Sequence, residues 1–148
     1  MDRAEATRRL TASKVGSIAT VRPDGSPHVV PFVFAMSEAG NELRIYWCVD
    51  DKPKRSRELQ RLVNIRAHPA VEIEVNRYDD DWSQLWWVRA SGLAHEVTSV
   101  DERDRALTTL AAKYPSYAEH PPSGAVIAIR VNRVTGWAAA AARGDELS

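Results

Sequence analysis

The chain has one cysteine, Cys48, among its 148 residues, which excludes an internal disulfide bond. Proteins that need no disulfide framework are typical of reducing compartments, so we expect a cytoplasmic protein. The residues that follow Met1 are mostly charged rather than apolar, and the sequence therefore predicts no signal peptide. No apolar run approaches the roughly 20 residues that a membrane-spanning helix requires.

Excess charge of either sign is also missing, because 20 Lys and Arg residues balance 20 Asp and Glu residues. A balanced chain lacks the global field that draws proteins to nucleic acids or anionic membranes. Catalytic patterns are absent as well: the four histidines are scattered, and no Ser/His/Asp or metal-ligand spacing occurs. We therefore predict neither a protein acid–base catalyst nor a bound metal.

Alternating apolar residues predict six β-strands within a single domain that spans residues 1–148. A short helix from about Arg3 to Thr11 precedes them, and we expect a frayed tail from about residue 138. The predicted strands are 15–22, 28–36, 42–49, 70–78, 82–97 and 125–134. Pro31 lies inside the second of these, which predicts an edge strand or a bulge there.

Two further helices interrupt the predicted strands, one after the third strand and one after the fifth. The first has one face formed by Leu59, Leu62, Val63 and Arg66. The second runs from a capping residue, Ser99, to about Tyr114. Parallel βαβ units would need a helix between most strands. We therefore predict a mainly β (α+β) fold, an antiparallel barrel with flanking helices.

A basic segment opens the helix that follows the third strand. Its cations and hydroxyl are Lys52, Lys54, Arg55, Ser56 and Arg57. Free N–H groups and the positive end of the helix dipole already favour an anion there, so the cations are locally unfavourable unless an anion joins them. In a chain of zero net charge, such a local cluster indicates a small anionic ligand. A solvated basic turn is the alternative that the local sequence leaves open.

Several motifs follow one another in a fixed order along the chain. They are residues 16–28 (GSIATVRPDGSPH), 31–32 (PF), 54–59 (KRSREL), 68–71 (HPAV), Trp82, 90–94 (ASGLA) and 132–137 (NRVTGW). This ordered set resembles the pyridoxamine-phosphate-oxidase-like split β-barrel family, in its flavin- and deazaflavin-dependent branch. The resemblance implies a six-stranded split barrel of the FMN-binding type, and a homodimer with cofactor sites at the subunit interface.

The resemblance also implies which residues would hold the cofactor. Its phosphate would meet the basic segment, at Lys52, Lys54, Arg55, Ser56 and Arg57. Its ring would lie along Val30, Pro31 and Phe32 and against Cys48 and Val49. Trp82, Ser83 and Gln84 match positions that reach the ligand, often from the partner subunit. The family more commonly has a Lys–Thr/Ser–Arg pattern where this chain crowds its cations, so the cation that contacts phosphate stays open.

The function that the resemblance implies is hydride transfer between the deazaflavin coenzyme F420 and a small organic substrate. We favour F420 because its tail carries more negative charge than FMN, which matches the surplus of cations; FMN is the alternative cofactor. Two other classes stay open. One is a non-catalytic protein that binds flavin, F420 or haem. The other is a nucleic-acid module that stacks bases on Trp82, Trp86 and Trp87, against which the balanced charge argues.

Overall fold

The computed structural model describes residues 1–49 and 55–140, and for residues 55–59 it describes the backbone alone. The helices are α1 (Arg3–Ala12), α2 (Arg55–Ala67), α3 (Val100–Lys113) and α4 (Pro115–Glu119). The strands are β1 (Gly16–Val21), β2 (Pro27–Phe32), β3 (Ala35–Ala39), β4 (Glu42–Cys48), β5 (Ala70–Arg77), β6 (Trp86–Glu96) and β7 (Val126–Ala138). A 3₁₀ turn, Trp82–Gln84, precedes β6. None of the described helices is both long and apolar enough to cross a membrane.

All the described strands form one antiparallel sheet with the order β2-β1-β5-β6-β7-β4-β3. The prediction of six strands is therefore wrong by one. The predicted strand 28–36 is interrupted at Val33 and Phe34, after which the chain leaves β1 and pairs with β4 instead. Because only two residues separate β2 from β3, the two edges of the sheet must approach each other at this corner. The result is a curled but unclosed antiparallel sheet with flanking helices, consistent with a split barrel.

Proline and glycine mark the ends of the first hairpin as the sequence predicts. Pro31 lies in β2, which is an edge strand, so the prediction of an edge position is confirmed. Between β1 and β2, Gly25 has a φ of 90° and donates its N–H to the carbonyl of Arg22 at 2.8 Å. A positive φ of this size is readily adopted by glycine and by few other residues.

The core lies on the inner face of the sheet, under α1 and α2. Strand β5 alternates as predicted, with Val71, Ile73 and Val75 all buried. Helix α2 buries a different face from the one predicted: Leu62 is buried, but Val63 is half exposed and Arg66 is exposed. The buried positions on this helix include polar residues, and these form part of the site described below.

Other differences concern the ends of elements. Strand β6 begins four residues later than predicted, because the residues before it form the 3₁₀ turn. Strand β7 continues through Ala138, pairing with β6 over its whole length, so the frayed tail does not begin there. Residues 141–148 lie outside the described part of the chain. Between α3 and β7, the chain forms a short helix, α4, which begins at Pro115.

Candidate functional site

A cleft of about 280 Å³ opens where the ends of β2 and β4 meet helix α2. Its walls include Pro31 and Phe32 from β2, Trp47 and Cys48 from β4, and Arg61 from α2. The rings of Phe32 and Trp47 meet edge to face, with centroids 5.9 Å apart. The cleft is therefore an aromatic and aliphatic slot with a guanidinium group at its wall.

Among the described residues that line this cleft, Arg61 is the charged one, and it was not among the predicted site residues. It is 8% exposed, so most of its side chain is withdrawn from water, and it forms interactions with other residues of the chain. A largely buried guanidinium offers several N–H donors in a fixed plane, which suits a carboxylate or phosphate group. In the sequence Arg61 is hidden, because the denser run of cations that precedes it draws attention to the start of the helix.

The structure brings together three of the five residues predicted to line a ring. Pro31, Phe32 and Cys48 line the cleft. Val30 instead points inward, partly buried against the main core. Val49 follows β4 and packs against the same core, and its N–H bonds to the Ala125 carbonyl at 2.8 Å.

The basic segment lies mostly outside the described residues. Lys52 and Lys54 belong to the undescribed range 50–54. Arg55, Ser56 and Arg57 form the first turn of α2, but their side chains are outside the description. Their predicted contact with a phosphate therefore stays a prediction.

The three residues before β6 that were predicted to reach the ligand do not line the cleft. Trp82, Ser83 and Gln84 form the 3₁₀ turn, capped by Asp81, whose carboxylate accepts from the Ser83 N–H at 3.1 Å and from its hydroxyl at 2.6 Å. Trp82 is 70% exposed. A partner subunit would be needed to bring this turn to a ligand, as the predicted homodimer requires.

A buried polar network joins α2 to the first hairpin beside the cleft. Asn64 is fully buried, and its amide donates to the hydroxyl of Thr20 on β1 at 2.9 Å. Its carbonyl oxygen accepts from the side-chain amide of Gln60 at 2.7 Å. The Asn64 amide also lies 3.4 Å from Nδ1 of His28, the residue of β2 that pairs with Thr20. Buried polar groups that satisfy one another in this way fix the position of the helix on the sheet.

The surroundings of His28 in this network disfavour its protonated form. Partial burial lowers the pKa of His28, and the positive charges of Arg22 and Arg61 lower this pKa further. Because Arg61 lowers the pKa of His28, its charge acts on the hairpin as well as lying at the cleft. The network and the cleft therefore share one cation.

A second polar cluster lies on the outer face of the sheet, away from the cleft. Glu102 of α3 accepts from the Tyr46 hydroxyl at 3.0 Å and pairs with Arg44, while His95 lies 3.8 Å from it. Burial alone would raise the pKa of Glu102, but the bond from Tyr46 and the charge of Arg44 outweigh it and lower the pKa. The Glu102 N–H also bonds to the Ser99 hydroxyl at the start of α3. The cluster therefore attaches the first turn of α3 to Tyr46 and Arg44 of β4.

A larger depression of about 830 Å³ lies between α1 and the β3–β4 hairpin. It contains none of the predicted site residues. Its hydroxyls, Thr7 and Thr11, already donate at 2.8 Å to carbonyls of their own helix. We therefore place the candidate site in the smaller cleft, where aromatic side chains and a buried guanidinium meet.

The sequence was compared with models of known protein families and with curated proteins. A family model for pyridoxamine 5'-phosphate oxidase matches residues 3–138. No curated protein matches the sequence.

Solved structures with the same fold cover nearly the whole chain. A FAD-binding protein from Mesorhizobium loti is 24% identical, with a TM-score of 0.66 over 92% of this chain and 94% of that one. A conserved protein of unknown function from Corynebacterium diphtheriae is 22% identical, with a TM-score of 0.68 over 92% and 93%. A heme binding protein from Mycobacterium smegmatis is 20% identical, with a TM-score of 0.67 over 92% of this chain and 53% of that one. At these identities the likeness shows the fold.

Proposed function

The chain belongs to the pyridoxamine 5'-phosphate oxidase family, and we propose that it is an oxidoreductase that binds a flavin-type cofactor in the cleft beside Arg61. The observation that carries this proposal is the meeting of a buried guanidinium with an aromatic slot. A flavin-type cofactor needs both: apolar surface for its ring and cations for its phosphate.

A buried hydrogen-bond donor also fits a ring that bears carbonyl groups. Trp47 lines the cleft, and its indole N–H is buried without an acceptor among the described residues. Buried donors of this kind are uncommon, because an unmet hydrogen bond costs roughly 1–3 kcal/mol. A ligand carbonyl would supply the missing acceptor.

In this proposal, the cofactor when bound supplies the hydride chemistry. Pro31, Phe32 and Cys48 pack against the ring and exclude water from one side of it. Arg61 holds an anionic group of the cofactor, and the network of Asn64 and Thr20 fixes the helix that carries Arg61. No side chain of the chain is required to act as an acid or base.

We propose F420 as the preferred cofactor and FMN as the alternative. Arg61 adds a fifth cation to Lys52, Lys54, Arg55 and Arg57 on one short stretch of sequence. A tail with several negative charges would use more of these cations than the single phosphate of FMN. The relatives that bind FAD or heme make a non-catalytic binder the competing proposal.

The small volume of the cleft in one chain favours a complete site to which a second subunit contributes. Its volume of about 280 Å³ is just below the roughly 300–1,000 Å³ that is typical of ligand pockets. Beside it, Val29 of the edge strand β2 is 63% exposed and Val15 is 60% exposed. An unpaired strand edge with exposed apolar side chains is typical of an interface. We therefore propose a homodimer in which the partner covers this edge.

Parallel titrations of the purified protein with F420, FMN and riboflavin test the proposal. Binding would be followed by fluorescence at physiological salt. We expect F420 to bind most tightly, and FMN to bind more tightly than riboflavin, which has no phosphate. Equal or tighter binding of FMN than of F420 would overturn the F420 assignment, and no binding of any of the three would overturn the proposed function.

A further inference from the structure

Two of the chain's lysines meet at one corner of the fold. The lysines are Lys14, Lys52, Lys54 and Lys113, and the second and third belong to the basic segment. Lys14 precedes β1 and Lys113 ends α3, 99 residues later, yet the ammonium of Lys14 donates to the carbonyl of Lys113 at 3.1 Å. The fold therefore brings the Lys14 ammonium to the backbone of Lys113, and the charge of Lys14 is close enough to act on the Lys113 side chain.

Tyr114 holds this corner in a fixed geometry. Its hydroxyl accepts the N–H of Phe34 at 3.1 Å, and it lies 2.8 Å from the carbonyl of Phe34 and 2.9 Å from that of Lys14. The Lys113 ammonium donates to the same Phe34 carbonyl at 2.9 Å and lies 4.3 Å from the centre of the Phe34 ring. Both lysines are thus anchored through their backbone or their ammonium group before any ligand arrives.

The corner adjoins the rim of the cleft. Val15, which follows Lys14, lines the cleft, and so does Val33, which precedes Phe34. Tyr117 lines it as well, and its ring packs edge-on against that of Tyr114 with centroids 5.9 Å apart. A molecule that fills the cleft and extends past this rim would therefore approach the two ammonium groups.

The described part of the chain supplies no carboxylate to offset the charges at this corner. Within the described residues, neither Lys14 nor Lys113 forms an ion pair with a carboxylate. Burial lowers the pKa of Lys113 to about 8, and the charge of Lys14 contributes to the shift. Among the described residues, the titratable groups that face Lys113 are Lys14 and Tyr114. An anion placed between the ammonium groups would relieve their repulsion, and each carries three N–H donors, of which the carbonyls use one.

We propose that Lys14 and Lys113 bind the anionic group, a carboxylate or a phosphate, of the substrate that enters the cleft. The inference rests on the proposed function, since it assigns Arg61 and the basic segment to the cofactor and this corner to the substrate. A purely structural role would need only the bond from Lys113 to Phe34. It would not need a second cation beside the first.

The test uses two small aromatic probes that differ in charge, 4-fluorobenzoate and the uncharged 4-fluorobenzamide. Each would be titrated into the FMN-loaded protein and into the cofactor-free protein, with binding followed by fluorine NMR. The variants Lys14→Met and Lys113→Met keep the length of the side chain and lose its charge, and Lys113→Arg keeps the charge. Arg105→Met is the matched control, because Arg105 is an exposed cation on α3.

We expect the wild-type protein to bind the acid more tightly than the amide. Each Met variant should weaken binding of the acid roughly three- to tenfold, the range for a partly exposed charge-assisted contact, and leave binding of the amide unchanged. Lys113→Arg and Arg105→Met should bind the acid as the wild type does. Binding of the acid should also fall as the pH rises through about 8, where Lys113 loses its charge, and this fall should disappear in Lys113→Met.

Three results would overturn the proposal. The first is equal affinity of the wild-type protein for the two probes, or no binding of the acid. The second is an equal loss of both probes in the Met variants, which would show a structural role. The third is a loss of FMN affinity in Lys14→Met with no loss of acid affinity, which would assign the corner to the cofactor. If none of F420, FMN and riboflavin binds to the wild type, the proposed function fails, and the titration of the cofactor-free protein still decides whether the corner binds the acid.

Discussion

Replacement of Asn64 by alanine should destabilise the fold strongly, although asparagine is a polar residue on a helix. Asn64 is fully buried, and its side chain bonds to Thr20 at 2.9 Å and to Gln60 at 2.7 Å. In Asn64→Ala, the buried hydroxyl of Thr20 loses its partner, which costs roughly 1–3 kcal/mol, and the removed amide leaves a small cavity that adds to the loss. We expect a decrease of about 3 kcal/mol in the free energy of unfolding.

The assay is thermal and urea unfolding followed by circular dichroism. For a chain of this length, about 3 kcal/mol corresponds to a decrease of roughly 6–12 °C in Tm. Asn76→Ala is the matched control, because Asn76 is exposed and, among the described residues, its side chain bonds to the carboxylate of Glu74, at 2.8 and 3.0 Å. Its effect should stay within about 0.5 kcal/mol.

A double-mutant cycle separates the hydrogen bond from the lost volume. Thr20→Val removes the hydroxyl, and Asn64→Leu removes the amide but fills most of its space. If the bond stabilises the fold as described, the double variant should be more stable than the sum of the single losses by about 1 kcal/mol or more. Additive losses, or a loss in Asn64→Ala no larger than in Asn76→Ala, would refute the reasoning.

Three further predictions concern the pH response, the sheet and the interface. The pKa of His28 is lowered below 6.5 in the folded state, so the unfolded state binds more protons as the pH falls through this value. The wild type should therefore lose stability in this pH range more steeply than His28→Gln does. Equal slopes of the unfolding free energy against pH in the two proteins would contradict this. Gly92→Ala should lower the free energy of unfolding by about 2–3 kcal/mol, because a Cβ would lie 2.5 Å from the Arg130 carbonyl oxygen where the register of β6 and β7 shifts; an unchanged Tm would show that the two strands relax there. Val29→Asp should convert the proposed dimer to a monomer in light scattering at micromolar concentration, and a wild-type monomer with cofactor bound would refute the dimer itself.

The sequence predicted the parts of the fold that depend on local patterns. Alternation placed β5 correctly, and the edge position of β2 followed from Pro31. The break at Val33 and Phe34 was missed because both residues are apolar and continue the pattern of a strand. The change of partner strand there is a tertiary event that no local pattern records.

The candidate site was predicted in part for the same reason. Pro31, Phe32 and Cys48 were expected to lie together, and they share the cleft. Arg61 and Asn64 were missed because polar residues within a helix are usually solvated, and their burial depends on how α2 packs on β1. The pairing of Lys14 with Lys113 spans 99 residues and depends on the docking of α3.

The most direct test of the proposed cofactor site compares FMN and riboflavin affinity in Arg61→Met and in Arg66→Met. Both variants lose one cation from α2, but Arg66 is exposed and pairs with Glu96 outside the cleft. A charge-assisted contact with phosphate contributes roughly 1.5–3 kcal/mol, which corresponds to about a ten- to hundredfold change in affinity. We predict that Arg61→Met weakens FMN binding by this amount and leaves riboflavin binding nearly unchanged, while Arg66→Met changes neither affinity. Unchanged FMN affinity in a folded Arg61→Met protein would contradict the assignment of the cleft.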